Sequence, residues 1–151
     1  MAFFTNMTTI ACLALINGLL LFLFVTFRHA VGGKYLDELI SHSKSQKLVD
    51  QLTSSQVSAH IYATCLLDTV FPACYGLLFV TLMLRFAGLE NGWLSIAPVV
   101  VAVIADYLEN WAHAIALRTK RVPKTKSIVT SAKWACLASA IAVAALSWSR
   151  S

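Results

Sequence analysis

Charged residues are scarce in this chain. Asp, Glu, Lys and Arg make up 13% of its 151 residues, where soluble domains carry about a quarter. That shortfall argues against a soluble protein. Paired cysteines are also lacking. Cys12, Cys65, Cys74 and Cys136 form no Cys-x-x-Cys, so neither a disulfide scaffold nor a thiolate zinc site is indicated. All four fall in apolar stretches and read as small buried residues. There is no His-Glu-x-x-His and no Glu-x-x-His, no internal repeat and no low-complexity tail. The basic run Arg118 to Lys126 has no interleaved aromatics and lies between two apolar runs, which argues against a nucleic-acid partner.

What is present is apolar. Hydrophobic residues make up 58% of the sequence and the mean hydropathy is +0.72. At this length one domain is the expectation. Four stretches, about 10–27, 59–86, 93–117 and 128–148, are long enough to cross a bilayer as helices. The first has no basic segment before it, and Arg28 rather than a small-residue cleavage site follows it. It therefore reads as a retained transmembrane helix rather than a signal peptide. The expected fold is all-α: a polytopic membrane protein with four transmembrane helices in a bundle.

The polar segment 28–58 opens with Gly32-Gly33. Tyr35, Leu36, Leu39 and Ile40, and then Leu48, Val49 and Leu52, recur at helical spacing among polar residues. This predicts one or two amphipathic helices at the membrane surface. Thr53 or Ser54 is the expected cap of the next helix. In that second span Pro72 is expected to kink the chain. Gly18 in the first span permits close helix approach, and the Ala- and Ser-rich fourth span suits tight packing. Gly88 to Gly92 reads as a turn. Tyr62, Trp93, Trp111, Trp134 and Trp148 read as interfacial or packing aromatics.

The basic residues set an orientation. Arg28, Lys34, Lys44 and Lys47 lie in one polar segment. Arg118, Lys120, Arg121, Lys124 and Lys126 lie in the other, with Lys133 close enough to snorkel back to it. The positive-inside rule makes segments 28–58 and 118–127 cytoplasmic, with both termini outside.

Chemistry concentrates in the third span. Asp106, Glu109, Asn110 and His113 share one helical face. An acid at a helix centre costs about 2.5 to 3.5 kcal/mol on the insertion scale, and each aliphatic returns about 0.3 to 0.6. The roughly ten aliphatics of this span return about 4 to 5 kcal/mol, so two acids cancel them. The polar face must point into the bundle. In the second span Asp68, Pro72 and Tyr75 also share a face. Counted from the basic ends, Asn17, Asp68 and Asp106 lie at similar depth. His60 and His113 lie nearer the basic side and Tyr75 further from it.

Asp68, Asp106 and Glu109 are therefore the candidate catalytic groups, with Tyr75, Asn110, His113 and Asn17 as candidate substrate-binding residues. Glu109 and His113, with Asp68, Asp106 and His60, carry donor types that suit a metal, but the spacing assigns no metal and no cofactor. Helix-bridging polar contacts are the bland alternative.

The pattern Asp68-x-x-x-Pro72-x-x-Tyr75, then Asp106-Tyr-x-Glu109-Asn110, resembles that of a group of small four-span bacterial integral membrane proteins. The resemblance covers the second and third spans. It implies that these positions act together and lends no reaction. The first span has no acid, unlike that of the small multidrug exporters. The sequence also lacks the motifs of the four-span glutathione-linked enzymes and the paired cysteines of quinone-linked thiol oxidoreductases. The function expected from the residues is acid–base chemistry on, or binding of, a lipophilic small molecule in contact with membrane lipid. A proton-coupled transporter working as a homo-oligomer and an accessory subunit of a larger membrane complex are the alternatives.

Overall fold

The computed structural model describes residues 6–86 and 92–148; the turn expected at 88–92 lies mostly outside them. The described residues are mostly helical and contain no strand. Helix α1 (Met7–Phe27) is capped by Asn6, whose side chain accepts from the Thr8 N–H at 3.0 Å. Then come α2 (His42–Gln51), α3 (Ser54–Tyr62), a π-helical turn (Ala63–Leu67), α4 (Asp68–Phe86), α5 (Gly92–Thr119) and α6 (Thr125–Trp148). Helix α3, the π turn and α4 run on as one 33-residue rod, so four helices are long and apolar enough to cross a membrane. The protein is an all-α integral membrane bundle.

Helix α5 is central. Half of its apolar window is covered by the other helices, against 11% for α1. It packs against α6, α4 and α3, while α1 leans chiefly on α4. The approach of α4 to α5 depends on Gly76, where a Cβ would stand 2.7 Å from Val103 Cγ2. Gly18 does not have that role: a Cβ there would meet nothing within 4 Å. Helix α6 turns its polar face inward, burying Lys126, Thr130 and Lys133, while Ala132, Ala135, Ala138 and Ser139 face out. Its small residues are therefore mostly not at the intrachain helix interfaces. Cys12 and Cys65 are likewise exposed rather than buried. Lipid is as apolar as a helix neighbour, so hydropathy does not distinguish the two faces.

The polar segment folds over one end of the bundle. Thr53 caps α3 in a capping box with Gln56. Only 42–51 of the preceding stretch is helical. Residues 34–41 follow Gly32 and Gly33, both at positive φ (84° and 88°), and form turns rather than the expected helix. The apolar side chains Leu36, Val49 and Leu52 still pack together with Ala116, Leu117 and Val122. Polar bonds tie the same layer. Gln46 exchanges hydrogen bonds with the Lys120 carbonyl (2.9 Å) and the Val122 N–H (2.9 Å). His42 Nε2 donates to the Val122 carbonyl at 2.9 Å. Lys120 Nζ caps the end of α2, donating to the Val49 and Leu52 carbonyls at 3.3 Å each.

Pro72 has a specific consequence. It has no N–H, so the Asp68 carbonyl four residues earlier loses its helical donor. Asn110 Nδ2 on α5 donates to that carbonyl at 2.6 Å. One residue on, the Tyr107 hydroxyl donates to the Thr69 carbonyl at 3.0 Å. Asn110→Ala should lower unfolding stability in detergent by about 0.6 to 1.7 kcal/mol, the range for hydrogen bonds between membrane helices. Adding Pro72→Ala to that variant should recover part of the loss, because residue 72 then supplies the missing N–H. Thermal unfolding of the four proteins of this double-mutant cycle reads the coupling.

Candidate functional site

Three helices converge on one polar centre. From α4, Tyr75 donates its hydroxyl to Asp106 Oδ2 on α5 at 2.8 Å. From α6, Lys133 Nζ donates to Asp106 Oδ1 at 3.2 Å and lies 2.5 Å from Glu109 Oε2. Lys133 does not snorkel outward; it is buried between the two acids, 5% exposed. Glu109 is fully enclosed. The Thr130 hydroxyl donates to its Oε1, and Lys126 Nζ and His113 Nε2 stand 3.7 and 3.6 Å from the same oxygen. Lys126 also reaches the Leu36 carbonyl at 2.7 Å and the Leu39 carbonyl, which ties this cluster to the polar end of the bundle.

The candidate residues thus separate into two groups. Asp68, Tyr75 and Asp106 line a cavity of about 310 Å³, together with Lys133. Glu109 and His113 lie behind it and do not line it. Asn110 is spent on the Asp68 backbone. Asn17 bonds its own helix through the Leu13 carbonyl at 2.8 Å, leaves its Oδ1 without a partner, and also lies off the cavity. His60 is buried with its ring edge on Tyr35, 6.0 Å between centroids, and its Nε2 has no partner. Among the described residues, His, Cys, Asp and Glu do not gather in threes that could hold a metal ion.

The cavity lies between α1, α4 and α6. Its outer rim is formed by the exposed Leu21 and Val25 of α1 and the exposed Trp134 and Ile141 of α6. The opening is thus lateral, toward the region a bilayer would occupy. Arg28, Asp37 and Glu38 stand at the end nearest the polar layer, where Arg28 holds Glu38 at 2.6 Å. Phe24, Phe71 and Phe79 form the apolar wall. Tyr35 closes the corner with its hydroxyl on the Phe24 carbonyl at 2.8 Å. Burial, then the negative charges of Asp68 and Asp37, push its hydroxyl pKa up to about 12, so Tyr35 remains a neutral donor.

Comparison with protein-family models, with curated proteins and with solved structures gave no match to this chain.

The residues that sequence reasoning missed are Lys126, Thr130 and Lys133. Lysines near span ends look like anchors, but these three are spaced i, i+4 and i+7 and so share one helical face. That spacing was the available signal. Removing one partner of a buried ion pair costs about 3 to 5 kcal/mol in soluble proteins. Lys133→Met should therefore destabilise the bundle severely. Combining it with Asp106→Asn should restore much of the loss, because Glu109 then keeps Lys126 beside it and no bare charge remains in the cluster. Thermal melts in detergent would show the reverse order if Lys133 contributed packing alone.

Proposed function

We propose that this protein binds a lipophilic small molecule in the cavity between α1, α4 and α6, and acts on it through Asp106 by acid–base chemistry. The observation that carries this reading is an apolar-walled space of about 310 Å³ with a carboxylate held in place at its inner end. Ligand sites have this form, a mainly apolar pocket with a few convergent polar groups. Tyr75 and Lys133 fix the Asp106 carboxylate from two sides, which supports a positioned proton donor or acceptor. Asp68 would orient the ligand beside it. Glu109, Lys126 and His113 would support Lys133 from behind. A ligand would enter sideways from the lipid, past Leu21 and Trp134.

Native mass spectrometry of the gently solubilised protein tests this. A lipophilic species should copurify with the wild type. It should be retained by Asp106→Asn, which keeps the shape, and lost from Leu137→Trp, which fills the space. An empty wild-type cavity that a panel of lipophilic compounds also fails to fill would sink the reading.

The same proposal places the polar end in the cytoplasm, because nine of the twelve basic residues lie in 28–58 and 118–127. Lys47→Cys, made on a background with the four native cysteines replaced by serine, should react with an impermeant maleimide only after cells are opened. Labelling of intact cells would reverse the orientation.

A further inference from the structure

The charges around the cavity do not balance. Six Asp, Glu, Lys and Arg residues line it: Arg28, Asp37, Glu38, Asp68, Asp106 and Lys133. Arg28 is spent on Glu38, through two hydrogen bonds of 2.6 and 2.8 Å. Lys133 is spent on Asp106 and on Glu109 behind it, and Glu109 also has Lys126 beside it. Two carboxylates remain. Among the described residues, Asp37 makes no ion pair or side-chain hydrogen bond, and neither does the carboxyl of Asp68, whose backbone carbonyl alone is used, by Asn110. Asp68 is also buried, at 9% exposure, and lines the cavity. A buried acid without a partner inside a membrane bundle is costly unless something supplies the missing charge or proton.

The wall beside Asp68 favours one kind of partner. Tyr35, Phe24, Phe71 and Tyr75 form a continuous series of edge-to-face rings, with centroids 5.5, 5.7 and 5.4 Å apart in turn. All four line the same cavity. Aromatic rings with a carboxylate among them are the chemistry that recognises an ammonium group, through ring quadrupole and charge together.

We propose that the cavity receives the ammonium head of a cationic or amine-bearing amphiphile, with Asp68 as its counter-ion, the aromatic series as its wall and Asp37 as an outer acidic contact. The hydrocarbon tail leaves through the lateral opening between α1 and α6. This deepens the proposed function and rests on the cavity being a ligand site. The ammonium source is either a lipid headgroup or a free amphiphilic amine.

The test uses the full-length protein in dodecyl maltoside, a detergent without a cationic group. It is titrated by thermal stabilisation with dodecyltrimethylammonium, dodecanol and dodecyl sulfate, which share one chain length. The cation should bind at least about tenfold more tightly than the alcohol, a preference of the size that a desolvated ammonium–aromatic contact supplies. Asp68→Asn should bring that ratio close to one while leaving alcohol binding intact. Asp37→Asn, outside the spans, should lower it partway and gives the same reading if Asp68→Asn does not fold.

An unchanged ratio in both variants, or tighter binding of the sulfate, overturns the ammonium proposal. Equal binding of all three probes that is abolished by Leu137→Trp leaves the cavity reading standing and ends the charge proposal. Binding indifferent to Leu137→Trp removes both. Displacement of the cation by added phosphatidylethanolamine identifies a lipid headgroup as the source; resistance to it identifies a free amine.

Discussion

The bundle depends on balancing charge where water is absent. Asp106 and Glu109 enter the membrane on α5, and Lys126 and Lys133 enter on α6. Each of these groups alone is expensive in a bilayer. Together they form one connected cluster, with Lys133 touching both acids and Lys126 standing beside Glu109. Buried ion pairs stabilise weakly against an apolar alternative, but breaking one is severe. The cluster therefore fixes which faces of α5 and α6 meet, and to within a turn at what height. Tyr75 extends the constraint to α4.

The second organising feature is the irregular backbone around Asp68. A π-helical turn ends at Leu67 and Pro72 removes a hydrogen bond from the first turn of α4, so the helical ladder is interrupted here. Donors from α5 occupy the carbonyls of Asp68 and Thr69. The backbone of Asp68 is satisfied from α5, and among the described residues its carboxyl group has no hydrogen-bond partner at the cavity that Asp68 lines. The same region is bordered by α1, the least covered of the spanning helices. The lateral opening lies between this loosely attached helix and α6, where the two are separated by the cavity rather than packed together.

Much of this was legible in the sequence. The four spans follow from hydropathy, and the Thr53 cap from its spacing to Gln56. Helical periodicity joined Asp68 to Tyr75, and Asp106 to Glu109 and Asn110. Depth counting put Asp68 and Asp106 at one level, and both line the cavity. The same counting gave Asn17 that level too, but rotation about the helix axis decides whether a residue reaches a site, and Asn17 lies off it. The roles of Lys126 and Lys133 were obscured by their position near a basic turn, where a lysine ordinarily serves orientation. The exposure of Cys12 and Cys65, and of the small residues of α6, was hidden for a different reason: in a membrane both faces of a helix are apolar. The turns at 34–41 escaped the periodicity because their apolar residues pack like those of a helix, while Lys126 takes two of their carbonyls.

The short connection between α5 and α6 has a bearing on how the chain is made. Only residues 120–124 separate the two helices. As α5 emerges from synthesis it carries two acids and no lysine or arginine deep in its apolar run, and α6 arrives with the lysines that answer them. A helix with that burden is poorly held by lipid alone. With so brief a tether, the partner is available within a few tens of residues of translation. The pair is thus suited to leave the insertion machinery as one hairpin, already neutral inside, rather than as two successive helices.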